Sequence, residues 1–171
     1  MEIYKKLFKL GKPAFFVVET DVDTFANLYV TLLNERPESV IRMVRGNKSL
    51  TTKEFFSEIA AALQFPYYFG ENGAAFNDCI NDLEWLKGDA YLIMVDDAHL
   101  MLSDAHPEHF TSLMRILADA NEAWLTPNTY FPRDREPTAF HVLFRCPETQ
   151  LEGFLQRFSG LDQKPIQLST N

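Results

Sequence analysis

The chain has few cysteines, few glycines and a deficit of basic residues, and each shortage excludes a class of protein. Two cysteines among 171 residues cannot build a disulfide framework, and neither belongs to a Cys-X-X-Cys pair. None of the seven glycines lies in a GxGxxG, GxSxG or Walker motif, so no phosphate-binding loop or nucleophile elbow is predicted. With 16 Lys and Arg against 24 Asp and Glu, the net charge is −8, and such a chain repels nucleic-acid phosphates.

Long apolar runs are also missing. The sequence has no stretch of 18 apolar residues, which a membrane span needs, and its first residues lack the apolar segment of a signal peptide. The length and a hydrophobic content of 46% correspond to one globular domain with a sizeable core. We therefore expect a single domain over residues 1–171 in the cytoplasm, with no membrane or nucleic-acid partner. Its acidity favours a cationic partner.

What the chain does contain is a regular alternation of apolar strands and amphipathic helices. This alternation predicts an α/β fold with a mostly parallel sheet. The first 39 residues form one βα unit, residues 147–171 carry an extra helix, and the tail after Gly160 is expected to be irregular. The predicted strands cover 14–18, 40–44, 91–95 and 139–144.

The helix predicted over 73–83 has an unusual polar face. Asp78 and Asp82 are like charges at i and i+4, a spacing that costs about 0.2–0.5 kcal/mol, and no Lys or Arg on this helix offsets them. A face that is unfavourable for helix stability suggests use in binding, although a solvated surface of accidental composition is the alternative. Its apolar side consists of Phe76, Cys79, Ile80 and Leu83, and its polar side of Gly73, Ala74, Asn77, Asp78, Asn81 and Asp82.

Three consecutive aromatic residues, Tyr67, Tyr68 and Phe69, precede this helix. We expect at least one of them to be exposed, because tyrosine offers a large contact area with few rotatable bonds. The alternative is that all three pack over the core.

Two sets of residues suggest a metal or a catalytic site. Asp96 and Asp97, with His99 nearby, directly follow a predicted strand, and paired carboxylates there are suited to a divalent cation and a metal-dependent hydrolase. The alternative is a structural role for both carboxylates, which the absence of further ligands at suitable spacing favours. His106 and His109 form a weaker zinc candidate. A Cys79 nucleophile paired with His141 is weaker still, because Cys79 lies on the apolar helix face.

The segment LQFPYYFGEN at 63–72, followed by FNDCI at 76–80, closely resembles the signature of the barstar family. The shared features are a leucine at a helix end, proline, aromatics, Gly-Glu-Asn, and a helix with an acidic residue before a small one. The order of strands and helices agrees over about residues 40–146. The resemblance implies a two-layer α/β fold around a three-stranded parallel sheet, to which the N-terminal βα unit 1–39 and the C-terminal helix and tail 147–171 are added.

Barstar is an intracellular inhibitor of the ribonuclease barnase, whose basic active site it plugs with an acidic helix and the preceding loop. The resemblance therefore implies a binding protein rather than an enzyme, with no cofactor and with a basic ribonuclease or toxin as partner. A metal-dependent hydrolase and a non-inhibitory interaction module remain the alternatives.

Residue by residue, the resemblance implies a binding surface with one carboxylate fewer than in barstar. Tyr68 takes the place of the family's contact tyrosine and Asp78 that of its dominant acidic contact. Ala74 stands where barstar has a second contact aspartate, and Asn81 where it has a threonine. Asp119 is a candidate for an acidic contact on the next helix. The complete predicted surface is Tyr67, Tyr68, Ala74, Asn77, Asp78, Asn81, Asp82 and Asp119.

Overall fold

The computed structural model describes residues 2–129 and 134–169. Strands and helices alternate along the described chain, as the apolar pattern predicts. The strands are β1 (Phe15–Glu19), β2 (Val40–Arg45), β3 (Ala90–Asp96), β4 (Ala139–Cys146) and β5 (Ile166–Leu168). The α-helices are α1 (Val22–Glu35), α2 (Thr52–Leu63), α3 (Gly73–Asp82), α4 (Pro107–Trp124) and α5 (Glu148–Gln156), and short 3₁₀ helices cover Glu2–Phe8 and Gly46–Lys48.

The five strands form one parallel sheet in the order β2-β3-β4-β1-β5. The expectation of a three-stranded sheet is therefore wrong. Strands β2, β3 and β4 are consecutive and start at one edge of the sheet, and β1 pairs with the other side of β4 in the register Val17 to Phe144. All eight residues of β4 are buried, so water cannot hydrogen-bond to the backbone N–H and C=O groups of this strand. Strand β1 pairs with these groups on the side of β4 that faces away from β3. The tail expected to be irregular contributes β5, which pairs with β1.

Helices cover both faces of the sheet, so the expected two-layer arrangement is also wrong. Alternate residues of a strand face opposite sides, and Phe16 and Val18 of β1 face away from Phe15 and Val17. Helices α2 to α5 pack on the first face, and α1 with the helix Glu2–Phe8 packs on the second. The second face needs this cover because it presents the apolar side chains Ile41, Leu92, Met94 and Leu143.

Local sequence signals account for the helix ends that position the predicted surface. Thr51 and Glu54 form the capping box expected at the start of α2. Asn72 caps the start of α3, and its side chain accepts a hydrogen bond from the Ala75 N–H at 3.0 Å. Leu83 caps the end of α3, adopts φ +47° and donates its N–H to the Cys79 carbonyl. None of the helices in the described part of the chain has the length and hydropathy of a membrane span.

A candidate protein-binding surface on helix α3

Helix α3 turns its polar side outward. Phe76, Cys79 and Ile80 are buried in the core, whereas Asn77 and Asp78 are exposed. The orientation predicted from the apolar stripe is therefore confirmed. Ala74 is also exposed, so the position where barstar has a second contact aspartate faces outward without a carboxylate.

The aromatic loop before α3 divides into two exposed rings and one packed ring. Tyr67 is 100% exposed and Tyr68 is 68% exposed, and the two rings meet edge to face with their centroids 5.6 Å apart. Phe69 is half-buried between Phe56 and Phe65, at centroid distances of 5.8 and 4.9 Å. The expectation of at least one exposed aromatic is confirmed. The packed Phe69 anchors the loop, so the two tyrosines project from a fixed backbone.

Aromatic packing also explains why α3 and the loop form one surface. The Phe76 ring contacts Phe55, Phe56 and Phe65, which belong to α2 and the residues that follow it. On the other side of α3, the Trp124 indole N–H donates to the Ile80 carbonyl at 2.9 Å. Helix α3 is thus held from two directions, and its outward face has a defined orientation.

Beside the polar face of α3 lies a groove of about 1020 Å³, which we call the α3 groove. Tyr68 and Asp78 lie on its rim and are also part of the surface predicted from sequence. Of the predicted residues, Asn77, Asn81 and Asp82 line it too, while Tyr67, Ala74 and Asp119 do not. The remaining lining residues are Cys79, Leu83, Glu84, Trp85, Lys87, Gly88, Tyr91, Trp124, Asn128, Asp134, Arg135 and Thr138.

Arg135 is a residue of this site that the sequence analysis missed. Its guanidinium donates to the Asn81 carbonyl at 2.5 Å and to the Ala123 carbonyl at 3.2 Å, and it lies 3.5 Å from the centre of the Trp124 ring. Burial lowers the pKa of Arg135, and the negative charge of Asp82 partly opposes this effect. No local pattern marks this residue, because the partners of its side chain lie 11 to 54 positions away along the chain.

The two aspartates of α3 are not equivalent. Asp78 is exposed, whereas Asp82 is partly buried near the charge of Arg135. The repulsion between Asp78 and Asp82, which their spacing predicts, is therefore reduced by the positive charge of Arg135, a residue outside the helix. Both carboxylates raise the pKa of the Cys79 thiol in addition to the larger effect of burial. A thiol held protonated in this way is a poor nucleophile.

Asp119 is exposed on α4, away from the α3 groove. One helical turn earlier, Ile116 lies against the start of α3, where a Cβ added to Gly73 would be 3.7 Å from its Cδ1. Since residues at i and i+3 share one side of a helix, Asp119 lies on the side of α4 that approaches α3. A role for Asp119 in binding stays a prediction.

The carboxylates considered for a metal site are engaged by an arginine. Arg145 of β4 donates from Nε to Asp96 Oδ1 at 2.6 Å and from its terminal nitrogen to Asp97 Oδ1 at 2.5 Å. Asn47 donates to the second oxygen of Asp97 at 3.2 Å. Within residues 2–129 and 134–169 no group of three or more His, Cys, Asp or Glu side chains is arranged to hold a metal ion. A guanidinium at this position provides the positive charge that a cation would otherwise supply.

The two weaker candidates differ in whether their side chains come together. The His106 and His109 rings lie near each other, with centroids 6.4 Å apart, but within the described residues they belong to no group of three or more potential metal ligands. His106 caps the start of α4, and the His109 ring lies 2.7 Å from the Thr52 hydroxyl. Cys79 is buried on α3, whereas the His141 ring nitrogens contact the carbonyls of Lys9 and Pro13. Cys79 and His141, the weakest catalytic candidate in the sequence, therefore do not form a nucleophile–base pair.

The fold and the site together define a three-layer α/β protein that presents an acidic helix next to exposed tyrosines. The family model described as Barstar (barnase inhibitor) matches residues 40–145, and the chain belongs to the barstar family. A search of curated proteins gives no match.

Solved structures with a similar fold come from larger proteins. The ADP form of the Aeropyrum pernix ORC2 protein superposes with a TM-score of 0.62 at 13% identity, over 94% of this chain and 43% of that one. Drosophila ORC bound to DNA gives a TM-score of 0.61 at 15% identity, over 99% of this chain and 42% of that one. The chain thus spans less than half the length of these proteins. At these identities the likeness concerns the fold alone.

Proposed function

We propose that this protein binds a basic ribonuclease or nuclease toxin and blocks its active site with helix α3 and the Tyr67–Tyr68 loop. The observation that carries the proposal is the exposed Asp78 carboxylate on a helix without basic residues, in a member of the barstar family. Tyr68 lies on the same groove rim and supplies an aromatic contact. On this proposal the protein is not an enzyme and needs no cofactor.

The mechanism is mimicry of the nuclease's substrate. An RNA-cleaving site gathers Arg, Lys and protonated His around the scissile phosphate, and the Asp78 carboxylate takes the place of that anion. Charge-assisted hydrogen bonds to a carboxylate are strong where water is excluded. The exposed rings of Tyr67 and Tyr68 cover apolar surface at the edge of the contact and keep water out.

The absence of a charge at Ala74 restricts which nucleases this surface can bind tightly. It lies one turn before Asp78 on the exposed side of α3 and carries no charge. A partner whose active site presents two separate cationic groups to α3 would leave one of them without a counter-charge, at a cost in affinity. We therefore expect the cognate enzyme to place one cationic cluster opposite Asp78 and a neutral group opposite Ala74.

The competing functions are less well supported. Arg145 already forms ion pairs with both Asp96 and Asp97, which argues against a metal-dependent hydrolase. The A. pernix structure contains ADP, but here the Asp21 carboxylate occupies the start of α1, directly after β1, where it accepts from the Thr24 N–H at 2.8 Å. A carboxylate at a helix N-terminus repels the phosphate that would otherwise bind there. A non-inhibitory interaction module remains the second candidate, because it would use the same exposed surface.

The test is inhibition of RNA cleavage by a panel of basic ribonucleases of the barnase type. Cleavage of a fluorogenic RNA is measured as the protein is added, and near-stoichiometric loss of activity is expected for the cognate enzyme. Asp78→Ala should weaken inhibition about 30-fold or more, equivalent to about 2 kcal/mol. Glu152→Ala, which removes an exposed carboxylate on α5, is the matched control and should inhibit normally.

Two results would count against the proposal. A complex that forms through Asp78 without loss of RNA cleavage would identify a non-inhibitory module. Affinity capture from the source cell that returns a protein other than a nuclease, together with no inhibition of any ribonuclease in the panel, would replace the proposed partner.

A further inference from the structure

The junction between the aromatic loop and α3 contains a chemically labile pair. Asn72 is followed by Gly73, and this is the one Asn-Gly pair in the sequence. Asparagine is among the thermally labile residues, because its side-chain amide can be lost. When glycine follows, no side chain shields the backbone nitrogen that attacks this amide. Asn72 is exposed and lies between Tyr68 and Asp78, the two main residues of the proposed binding surface.

Among the described residues, nothing in the packing requires glycine at position 73. The φ of Gly73 lies outside the left-handed region, and an added Cβ would meet the Ile116 Cδ1 at 3.7 Å, an ordinary van der Waals distance. Alanine would fit this space and is the better helix former. The glycine therefore matters for the chemistry of this junction more than for its fold.

The cap of α3 controls how easily the amide reacts. Asn72 Oδ1 accepts from the Ala75 N–H at 3.0 Å, and Nδ2 donates to the Gly70 carbonyl at 3.1 Å. Ring closure draws the amide out of both hydrogen bonds, so it needs the first turn of α3 to open. Helix ends open more readily than helix interiors, because their first N–H groups have no partner within the helix. Glu71 adopts φ +48°, a strained conformation that such opening relaxes.

We propose that Asn72 is a deamidation site whose conversion disables the binding surface, and that a bound nuclease protects it. The Gly73 nitrogen attacks Asn72 Cγ and closes a succinimide ring, while the Cγ–Nδ2 bond breaks and ammonia leaves with the proton of the Gly73 N–H. Water then opens the ring. Cleavage of the new N–Cγ bond gives aspartate, and cleavage of the original peptide bond gives isoaspartate. The net reaction consumes one water and releases one ammonia.

The two products differ in their effect on the surface. Aspartate caps a helix as well as asparagine does, and its charge suits a helix N-terminus. Isoaspartate routes the backbone through the former side chain and adds one methylene group between the loop and α3. The carbonyl that capped the Ala75 N–H becomes part of the main chain, so Tyr68 and Asp78 lose their relative positions. We therefore expect the aspartate form to bind and the isoaspartate form to fail.

Binding and deamidation oppose each other at this junction. A partner seated on Tyr68 and Asp78 contacts both sides of the junction and stabilises the closed first turn of α3. A ligand that binds only the closed form lowers the population of the open form. This part of the inference rests on the proposed function. The free protein should lose binding activity with time, whereas the complex should keep it.

The chemical step is tested on the full chain alone. The protein is incubated at mildly alkaline pH, and peptide mapping by mass spectrometry follows the gain of about one mass unit at each asparagine. Asn72 should convert at least tenfold faster than Asn77, which is also exposed but is followed by Asp78. Gly73→Ala should slow conversion at least tenfold without lowering the melting temperature. Equal rates at Asn72 and Asn77, or equal rates in the natural protein and Gly73→Ala, would overturn the inference.

The functional step compares fresh protein with its products. Against a ribonuclease that fresh protein inhibits, the isoaspartate form should inhibit at least tenfold less well. Treatment with an isoaspartyl methyltransferase and S-adenosylmethionine, which converts isoaspartate to aspartate, should restore inhibition. Asn72→Asp supplies the aspartate product directly and should inhibit within threefold of fresh protein. Full inhibition by the isoaspartate form would overturn the disabling effect and leave the proposed function standing.

Two further measurements separate this inference from the proposed function. Conversion of Asn72 in the complex should be at least tenfold slower than in the free protein, and equal rates would overturn the protection by a partner. If no ribonuclease is inhibited, the proposed function fails, and amide hydrogen exchange of residues 72–78 decides the effect on α3. Exchange should be faster in the isoaspartate form than in Asn72→Asp, and equal exchange would overturn the inference.

Discussion

The Arg145 guanidinium lies against the Asp96 carboxylate, with Nε 2.6 Å from Oδ1, and joins the carboxyl ends of β4 and β3. The Arg145 side chain is only 6% exposed, and a second contact to Asp97 uses its terminal nitrogen. Asp97 adopts φ +46°, a left-handed conformation that is uncommon outside glycine. The ion pairs stabilise this backbone and determine how the chain leaves the sheet toward α4.

Removing the arginine should therefore destabilise the fold. Arg145→Met should lower the free energy of unfolding by about 2–3 kcal/mol, because it leaves two neighbouring carboxylates without a counter-charge. The value lies at the low end for buried pairs, since the two aspartate side chains are 22% and 25% exposed. Urea unfolding of Arg145→Met measures it. Lys12→Met breaks the exposed pair with Glu122, whose two side chains are 55% and 50% exposed, and should have a much smaller effect. Equal losses in the two variants would contradict a special role for Arg145.

Metal removal should leave the protein unchanged. Because the Arg145 guanidinium already binds both Asp96 and Asp97, treatment with a chelator should alter neither the melting temperature nor partner binding. Mg²⁺ with ADP should likewise give no thermal shift, since Asp21 occupies the start of α1. A loss of several degrees after chelation that a single metal restores would show that a metal contributes to the fold.

Stability should fall as the pH decreases through 6.5, partly because of His141. Its ring is 1% exposed, and burial lowers its pKa below the usual 6.5, although hydrogen bonds to the carbonyls of Lys9 and Pro13 partly oppose this. Below pH 6.5 the unfolded chain binds a proton that the folded ring resists, so the stability present above that pH is lost. One proton contributes at most about 1.4 kcal/mol per pH unit.

The measurement is urea unfolding between pH 7.5 and 5. His99, whose pKa burial also lowers, contributes in the same direction. The test is therefore the difference in slope between the natural protein and His141→Asn, which should depend less steeply on pH. Identical slopes would assign the pH dependence to other groups.

The two aspartates of α3 should respond differently to substitution. Asp78→Ala removes an exposed charge next to a like charge and improves helix propensity, so stability should hold or rise by about a few tenths of a kcal/mol. Asp82→Ala removes negative charge near Arg135 and should be the less stable variant of the two. Binding should show the opposite order, with the larger loss for Asp78→Ala. Paired thermal melts and affinities test this, and an unfolded Asp78→Ala would contradict the outward orientation of α3.

Association with a basic nuclease should depend strongly on salt. At a net charge of −8 the protein attracts a basic enzyme over long distances, and salt screens this attraction. The on-rate in stopped-flow mixing should fall steeply between low salt and about 0.15 M, while the off-rate changes little. An on-rate that is independent of salt would mean that charge does not govern recognition.

Local patterns predicted the elements well and their assembly less well. The capping box at Thr51 and the apolar stripe of α3 depend on neighbours within four residues, so they can be read from the chain directly. The tail strand β5 has only three residues, two of them exposed, and its partner is a strand near the other terminus. A segment this short has no periodicity of its own and becomes a strand only because β1 offers an edge.

In the candidate site, too, residues marked by a local pattern could be predicted, whereas a residue defined by distant contacts could not. Asp78 and Tyr68 were identified because charge, aromaticity and family signature all occur within one short segment. The role of Arg135 could not be predicted from the sequence, because its contacts to Asn81, Ala123 and Trp124 exist only after α3, α4 and the following loop have packed together.

The sequence by itself determined the α/β alternation, the outward face of α3 and the family, because these depend on spacing within single segments. Only the tertiary structure decided that the sheet has five strands, that helices cover both of its faces, and that Arg145 rather than a metal ion faces Asp96. Each of these outcomes depends on which distant segments come into contact. The backbone groups of a strand edge and the charge of a carboxylate require a partner, but they do not specify from which part of the chain that partner comes.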